Sequence, residues 1–237
     1  MTRWPVAARL ALVAVIVAVA AVVALWPRSA DSPGAGREAP AAAASPEERA
    51  AAGLIPCPRP PGAPARPDGA GTAAAPSSNA GPAESVPAGT GAAGDAGPLA
   101  GLNLTCLADG NPVDLRAALA GKPALLNLWA YWCAPCAKEL PHLQEFAGRA
   151  GDRMTVLTVH SDPEEAFALS RLTGLGVTLP GVLDPGAALR NAVGAPAVLP
   201  ISVLLRADGT VADVVVRSFT DTDDVARTVA GELGVLV

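Results

Sequence analysis

Cys133 and Cys136 stand two residues apart, separated by Ala134 and Pro135. Two thiols at that spacing can exchange with a disulfide: one attacks as the thiolate, and the other resolves the mixed disulfide that forms. The same spacing also suits half a zinc site or a local crosslink. A zinc site would need two further ligands; Cys57 and Cys106 are each single, and His142 and His160 make no H-x-x-x-H pair. A crosslink across so few residues closes almost no loop and constrains little of the unfolded chain. A redox dithiol is the preferred reading.

The elements around the pair agree with it. Ala124-Leu125-Leu126-Asn127-Leu128 is a short apolar run of the kind that forms a buried strand. After Cys136, Leu140, Leu143 and Phe146 recur at helical spacing, which predicts a helix to about Gly148 with a kink at Pro141. A C-x-x-C at a strand-to-helix junction is a dithiol redox context. Cys133 falls at the first helical turn, where unpaired N–H groups and the helix dipole favour a thiolate. Pro135 suits an early helical position, having no N–H to leave unpaired.

The rest of the 237-residue chain is uneven. Residues 28–98 are dominated by Ala, Pro and Gly and hold few large apolar residues, so they read as a linker without a core of its own. A disordered linker of ~70 residues would reach roughly 45 Å. One island stands out: Ser45-Pro46-Glu47-Glu48 carries a capping residue, a Pro at the first helical position and a Glu at the third, predicting a short helix to about Ala52. Residues 1–27 hold an apolar run; Val6–Trp26 as a helix would span ~30 Å, a bilayer core. Arg3 and Arg9 lie at its start and Trp4 and Trp26 at its ends, so the expectation is an uncleaved single-pass anchor with a cytoplasmic N-terminus. A cleaved signal peptide is the rival. Either way residues 99–237 are expected outside the cytoplasm, where disulfides persist. The net charge of −5 falls on that domain, which has no basic cluster, and this argues against nucleic-acid binding.

Within 99–237, Leu102, Leu104 and Cys106 alternate, as do Val113 and Leu115, around the turn Ala108–Asn111, predicting a β-hairpin. A helical turn at Leu115–Leu119 and the strand and helix around the dithiol follow. Met154–His160 predicts a second central strand, and Asp162-Pro163-Glu164-Glu165 opens a helix to about Leu172. A short strand at Pro180–Leu183, a short helix at Gly186–Val193, an antiparallel pair at Ile201–Leu205 and Val211–Val216, and a helix at Asp221–Leu233 complete an α/β fold with a mixed sheet flanked by helices.

Residues 99–237 resemble membrane-anchored thioredoxin-like proteins of the TlpA/ResA type, in a layout similar to that of actinobacteria. The resemblance rests on Gly121-Lys122-Pro123, on Asn127-Leu128-Trp129-Ala130-Tyr131-Trp132-Cys133-Ala134-Pro135-Cys136, on Glu139-Leu140-Pro141, and on Pro200 nine residues before Gly209. It implies a thioredoxin fold with an added N-terminal hairpin and a cis-proline at Pro200 rather than Pro196. It also implies an extracytoplasmic thiol–disulfide oxidoreductase without cofactor, most often a reductant serving cytochrome c maturation or copper-centre assembly. A disulfide-containing protein would be its substrate, and a separate transmembrane protein its electron donor. Leu199 stands where Thr is common, and Asn127 where cytoplasmic thioredoxins carry a buried Asp, so a relay through a carboxylate at that position is lost.

On this resemblance Cys133 attacks, Cys136 resolves, and Glu139 is a carboxylate that tunes the thiols; as an anion it would disfavour a second negative charge. The alternative for Glu139 is a solvated helix residue. Trp132 flanks the site, Trp129 belongs to the core, and Leu199 beside Pro200 offers backbone to an extended substrate segment. Cys57 and Cys106 are expected to form a structural disulfide stapling the end of the linker to the hairpin, with a second redox pair as the alternative. The competing functions are a disulfide oxidase and a copper-handling module. A peroxidase is disfavoured because Ala130 occupies the position where that class has Thr.

Overall fold

The computed structural model describes residues 43–60 and 97–237. All of them lie in one unit, Pro40–Val237. The anchor expected at 1–27 lies outside the described residues. Among those described, no helix is long and apolar enough to cross a membrane.

Seven strands form one mixed sheet: β1 (Asn103–Cys106), β2 (Pro112–Asp114), β3 (Ala124–Trp129), β4 (Thr155–His160), β5 (Gly181–Leu183), β6 (Ile201–Leu205) and β7 (Val211–Val215). Their spatial order is β2-β1-β5-β4-β3-β6-β7. β3 lies at the heart of the sheet, parallel to β4 and antiparallel to β6. The predicted hairpin is present, and its first arm pairs with β5, so it extends the sheet. The helices are α1 (Pro46–Ala52), α2 (Leu115–Ala118), α3 (Ala134–Ala150), α4 (Glu165–Leu175), α5 (Ala188–Ala192) and α6 (Thr222–Leu233).

Strand alternation sorts the core into two layers. Leu125 and Trp129 of β3 join one cluster with Leu140, Leu143 and Phe146 of α3, Leu169 and Leu172 of α4, and Val225 and Val229 of α6. Ala124, Leu126 and Leu128 face the other side, with Leu115, Leu189, Leu157 and Val203. Full burial of each such Leu or Phe side chain contributes ~1.5–3 kcal/mol. Asn127 shares the face of Leu125 and Trp129, so a polar side chain is carried into the apolar layer beneath α3.

Two boundaries differ from the expectation. The helix after β4 begins at Glu165 rather than at Asp162, because the Asp162 side chain accepts from the Glu164 N–H in a turn before the helix (3.0 Å). It runs on to Leu175 and is closed by left-handed Gly176. The linker assigned to 28–98 is interrupted, because residues 43–60 pack onto the domain. The capping box at Ser45 forms, and Ala44, Ala52 and Leu54 enter the core. Arg49 pairs with Glu165 through two hydrogen bonds of 3.0 and 2.9 Å, and the Ala44 N–H donates to the same carboxylate (2.9 Å). The Ile55 N–H donates to the Thr178 carbonyl (2.8 Å), and Cys57 is disulfide-bonded to Cys106 of β1. Composition hid this because the apolar contribution comes from a few small residues.

Candidate functional site

β3 ends at Trp129, and four residues later Cys133 caps α3. Its backbone is extended, and its sulfur accepts the Cys136 N–H (3.3 Å). The helix N-terminus thus presents a donor to the one sulfur that must carry negative charge when it attacks. Cys133 is 5% exposed and Cys136 is wholly buried. The two are joined by a disulfide.

The buried face of α3 carries Cys136, Glu139, Leu140, Leu143 and Phe146. The helical repeat that buries the apolar residues therefore buries Glu139 with them, one turn beyond Cys136. This corrects the solvated-helix alternative. Burial also pushes the Glu139 carboxyl above its ordinary 4.5, against the hydrogen bonds that lower it, so its proton affinity is raised. One oxygen accepts from Asn127 Nδ2 (2.8 Å) and the other from the Phe219 N–H (2.9 Å). Asn127 Nδ2 also donates to Ser202 Oγ of β6, directly across the register (3.1 Å). The strand position thus lacks a carboxylate but holds one delivered from the helix. Asn127 Oδ1 is buried and has no partner among the described residues. The loop after β7 closes this side: Ser218 Oγ donates to the Pro135 carbonyl (3.3 Å), and Arg217 lies over the Phe219 ring at 5.0 Å.

Residues on and after β4 hold the approach to Cys133. His160 is opposite Trp129 in the register, and its Nε2 accepts the Tyr131 N–H (3.2 Å). Burial pushes its imidazole down from 6.5 to about 4, which keeps Nε2 an acceptor at neutral pH. Trp132 is 58% exposed, and its Nε1 donates to Asp162 Oδ2 (2.9 Å). Arg171 Nε donates to the Tyr131 carbonyl (2.9 Å). Sequence reasoning assigned no role to His160 or Arg171. The signal it could have used was the ionisable His160 closing a strand that holds no other ionisable residue.

The bond before Pro200 is cis, with Leu199 preceding it. Ile201 lies opposite Leu128, so antiparallel pairing brings Pro200 level with Trp129, at the sheet end that carries the dithiol. Cys57 and Cys106 sit on β1's side of the sheet, four strands from β6 in the order, and form their own disulfide. Among the described residues no group of three or more His, Cys, Asp or Glu side chains is placed to hold a metal ion.

This fold and site define a thioredoxin-like protein, and comparison with known proteins places it more closely. The chain belongs to the Redoxin family, whose model matches residues 82–230. It is 27% identical over 114 residues to the thiol-disulfide oxidoreductase ResA of Halalkalibacterium halodurans, covering 48% of this chain and 64% of that protein. The chain thus spans just under two thirds of that relative's length. It is 35% identical over 78 residues to a thioredoxin of Mycolicibacterium smegmatis, covering 32% of this chain and 69% of that one. Among solved structures, a secreted Mycobacterium tuberculosis disulfide oxidoreductase homologous to DsbE of E. coli aligns at 27% identity and a TM-score of 0.48, over 56% of this chain and 97% of that chain. The family match and the ResA relative agree with the resemblance to the TlpA/ResA type of thioredoxin-like protein.

Proposed function

We propose that this protein is a membrane-tethered, extracytoplasmic thiol–disulfide oxidoreductase that reduces disulfides of partner proteins. The observation that carries the chemistry is the cysteine pair itself: Cys133 is the N-cap of α3 with its sulfur on the Cys136 N–H. In the reduced state the Cys133 thiolate attacks one sulfur of a partner disulfide, forming the mixed disulfide and releasing the partner's other sulfur as a thiolate. Cys136 loses its proton and attacks Cys133 Sγ. That closes the Cys133–Cys136 bond, frees the second partner thiol, and moves two electrons to the partner. Glu139 lies one helical turn from Cys136, and its carboxylate form, with proton affinity raised by burial, is the base for that proton. Leu199 and Trp132 border the partner's approach.

The name thiol-disulfide oxidoreductase carried by the ResA relatives supports this reading. The Cys57–Cys106 disulfide supports an oxidising compartment, and the apolar run within residues 1–27 supports an anchor. Reduced thiols in such a compartment need a supply of electrons, and a separate transmembrane donor fills that role. Proteins of cytochrome c maturation are the substrate class the family resemblance favours. Reduction of insulin by the full-length chain tests the activity. The expected result is turnover with dithiothreitol that Cys133→Ser abolishes; turnover untouched by that substitution would refute the mechanism.

A further inference from the structure

Beside the nucleophile lies a groove of about 260 Å³ lined by Tyr131, Phe167, Ser170, Arg171, Gly174 and Leu175. Five of these are successive positions along one face of α4, spaced as one helical stripe. The helix buries Glu165, Ala168, Leu169 and Leu172 on its core side, so Phe167, Ser170, Arg171 and Gly174 form a second, exposed face, with half-buried Leu175 at its end. Phe167 is 55% exposed, its ring 5.0 Å from that of Tyr131. Trp132, next in sequence, is 58% exposed and fixed by Asp162. Two large exposed aromatic side chains therefore stand on the same flank of Cys133, where their exposure to water is unfavourable unless something covers them.

Tyr131, which lines the groove, stands close to the site of exchange. Tyr131 is two residues before Cys133, which keeps their Cα atoms within ~7 Å. A partner sulfur bonded to Cys133 brings the residues beside its cysteine to this groove. Charge then selects among partners. Among the described residues Arg171 is the charged one lining the groove, and its Nε bond to the Tyr131 carbonyl fixes the guanidinium there (2.9 Å). The chain as a whole carries −5, so this is a local positive point on an acidic protein.

Resting on the thiol–disulfide reading above, we propose that the groove is a specificity subsite for the partner polypeptide next to its disulfide cysteine. An aromatic or large apolar side chain of the partner packs on Phe167 and Tyr131, and an Asp or Glu of the partner pairs with Arg171. The protein therefore selects partner segments that are both apolar and acidic around the reacting cysteine.

The test uses the reduced full-length chain and two chromogenic disulfide peptides. Both carry Phe beside the cysteine, and they differ only in a Glu or a Lys two residues away. Hydroxyethyl disulfide, small and uncharged, is the control. The expected kcat/KM favours the Glu peptide about three-fold, the size of an exposed ion pair. Arg171→Glu reverses that preference, and Arg171→Gln removes it. Phe167→Ala slows both peptides about five-fold relative to hydroxyethyl disulfide, whose rate is the reference within each variant. Equal rates for the two peptides in the wild type, or a preference that survives both Arg171 substitutions, would overturn the subsite. Failure of the wild type to reduce hydroxyethyl disulfide would overturn the redox reading itself. If Arg171→Glu does not fold, Arg171→Gln decides.

Discussion

Replacing Cys57 and Cys106 together by Ala removes a crosslink that spans 49 residues of sequence. In the chain-entropy account, releasing a loop of that length returns about 4 kcal/mol of freedom to the unfolded state. Both cysteines are buried, at 7% and 1% exposure, so the small loss of packing adds to the effect. The arm keeps its other ties: Arg49 to Glu165, the Ile55 N–H to Thr178, and Ala52 and Leu54 in the core. The variant is therefore expected to fold and to unfold earlier. At this size ~4 kcal/mol corresponds to a Tm lower by roughly 8–16 °C. Thermal unfolding under non-oxidising, non-reducing conditions measures it, with insulin reduction run in parallel. The account predicts the drop in Tm with activity retained at temperatures where the variant is folded. A change below ~1 kcal/mol would refute the staple. Loss of activity in the folded variant would instead make this pair part of the electron path.

Three further outcomes follow from the buried polar groups. Glu139→Ala removes one of the two acceptors of the Asn127 amide and leaves the Phe219 N–H unpaired in the core, and is expected to destabilise by about 2–5 kcal/mol in urea. Because the folded state raises the Glu139 carboxyl, its contribution is complete below the ordinary carboxylate range and is lost as pH rises through the raised value. The stability of wild type relative to Glu139→Gln should accordingly fall with rising pH, and parallel curves would contradict it. His160 has the opposite sign: with the imidazole depressed from 6.5 to about 4, its contribution is present above 6.5 and is lost as pH falls toward 4. About 3 kcal/mol of acid destabilisation is expected across that window, and His160→Asn should remove most of the slope in urea unfolding at stepped pH. Arg49→Ala strands the buried Glu165 carboxylate, 2% exposed, and is expected to reduce stability by about 3 kcal/mol; Arg49→Met with Glu165→Gln should recover most of it.

What was legible in the sequence is what short-range pattern determines. The run Ala124–Leu128, the C-x-x-C and the repeat of Leu140, Leu143 and Phe146 place a strand, a loop and a helix with no knowledge of the rest of the chain. The hairpin turn and the Ser45 capping box were legible for the same reason. What was missed depends on pairing across the sheet. That Asn127 holds Glu139 follows from strand parity and helix phase taken together, and the Phe219 N–H arrives from 80 residues away. That His160 holds Tyr131 needs β4 to lie beside β3 in register. Residues 43–60 read as linker in the sequence because their hold on the domain rests on one ion pair, one disulfide and the isolated side chains of Ala44, Ala52 and Leu54 rather than on an apolar run.

On the proposed function, Cys133 and Cys136 form a reducing dithiol. The measurement that tests it most directly is the reduction potential of that pair in the full-length chain, with Cys57–Cys106 kept oxidised. The account predicts a value near or below about −230 mV, in the range of thioredoxin-like reductants. A value above about −150 mV, in the range of strong oxidants, would contradict it and make the pair a donor of disulfides.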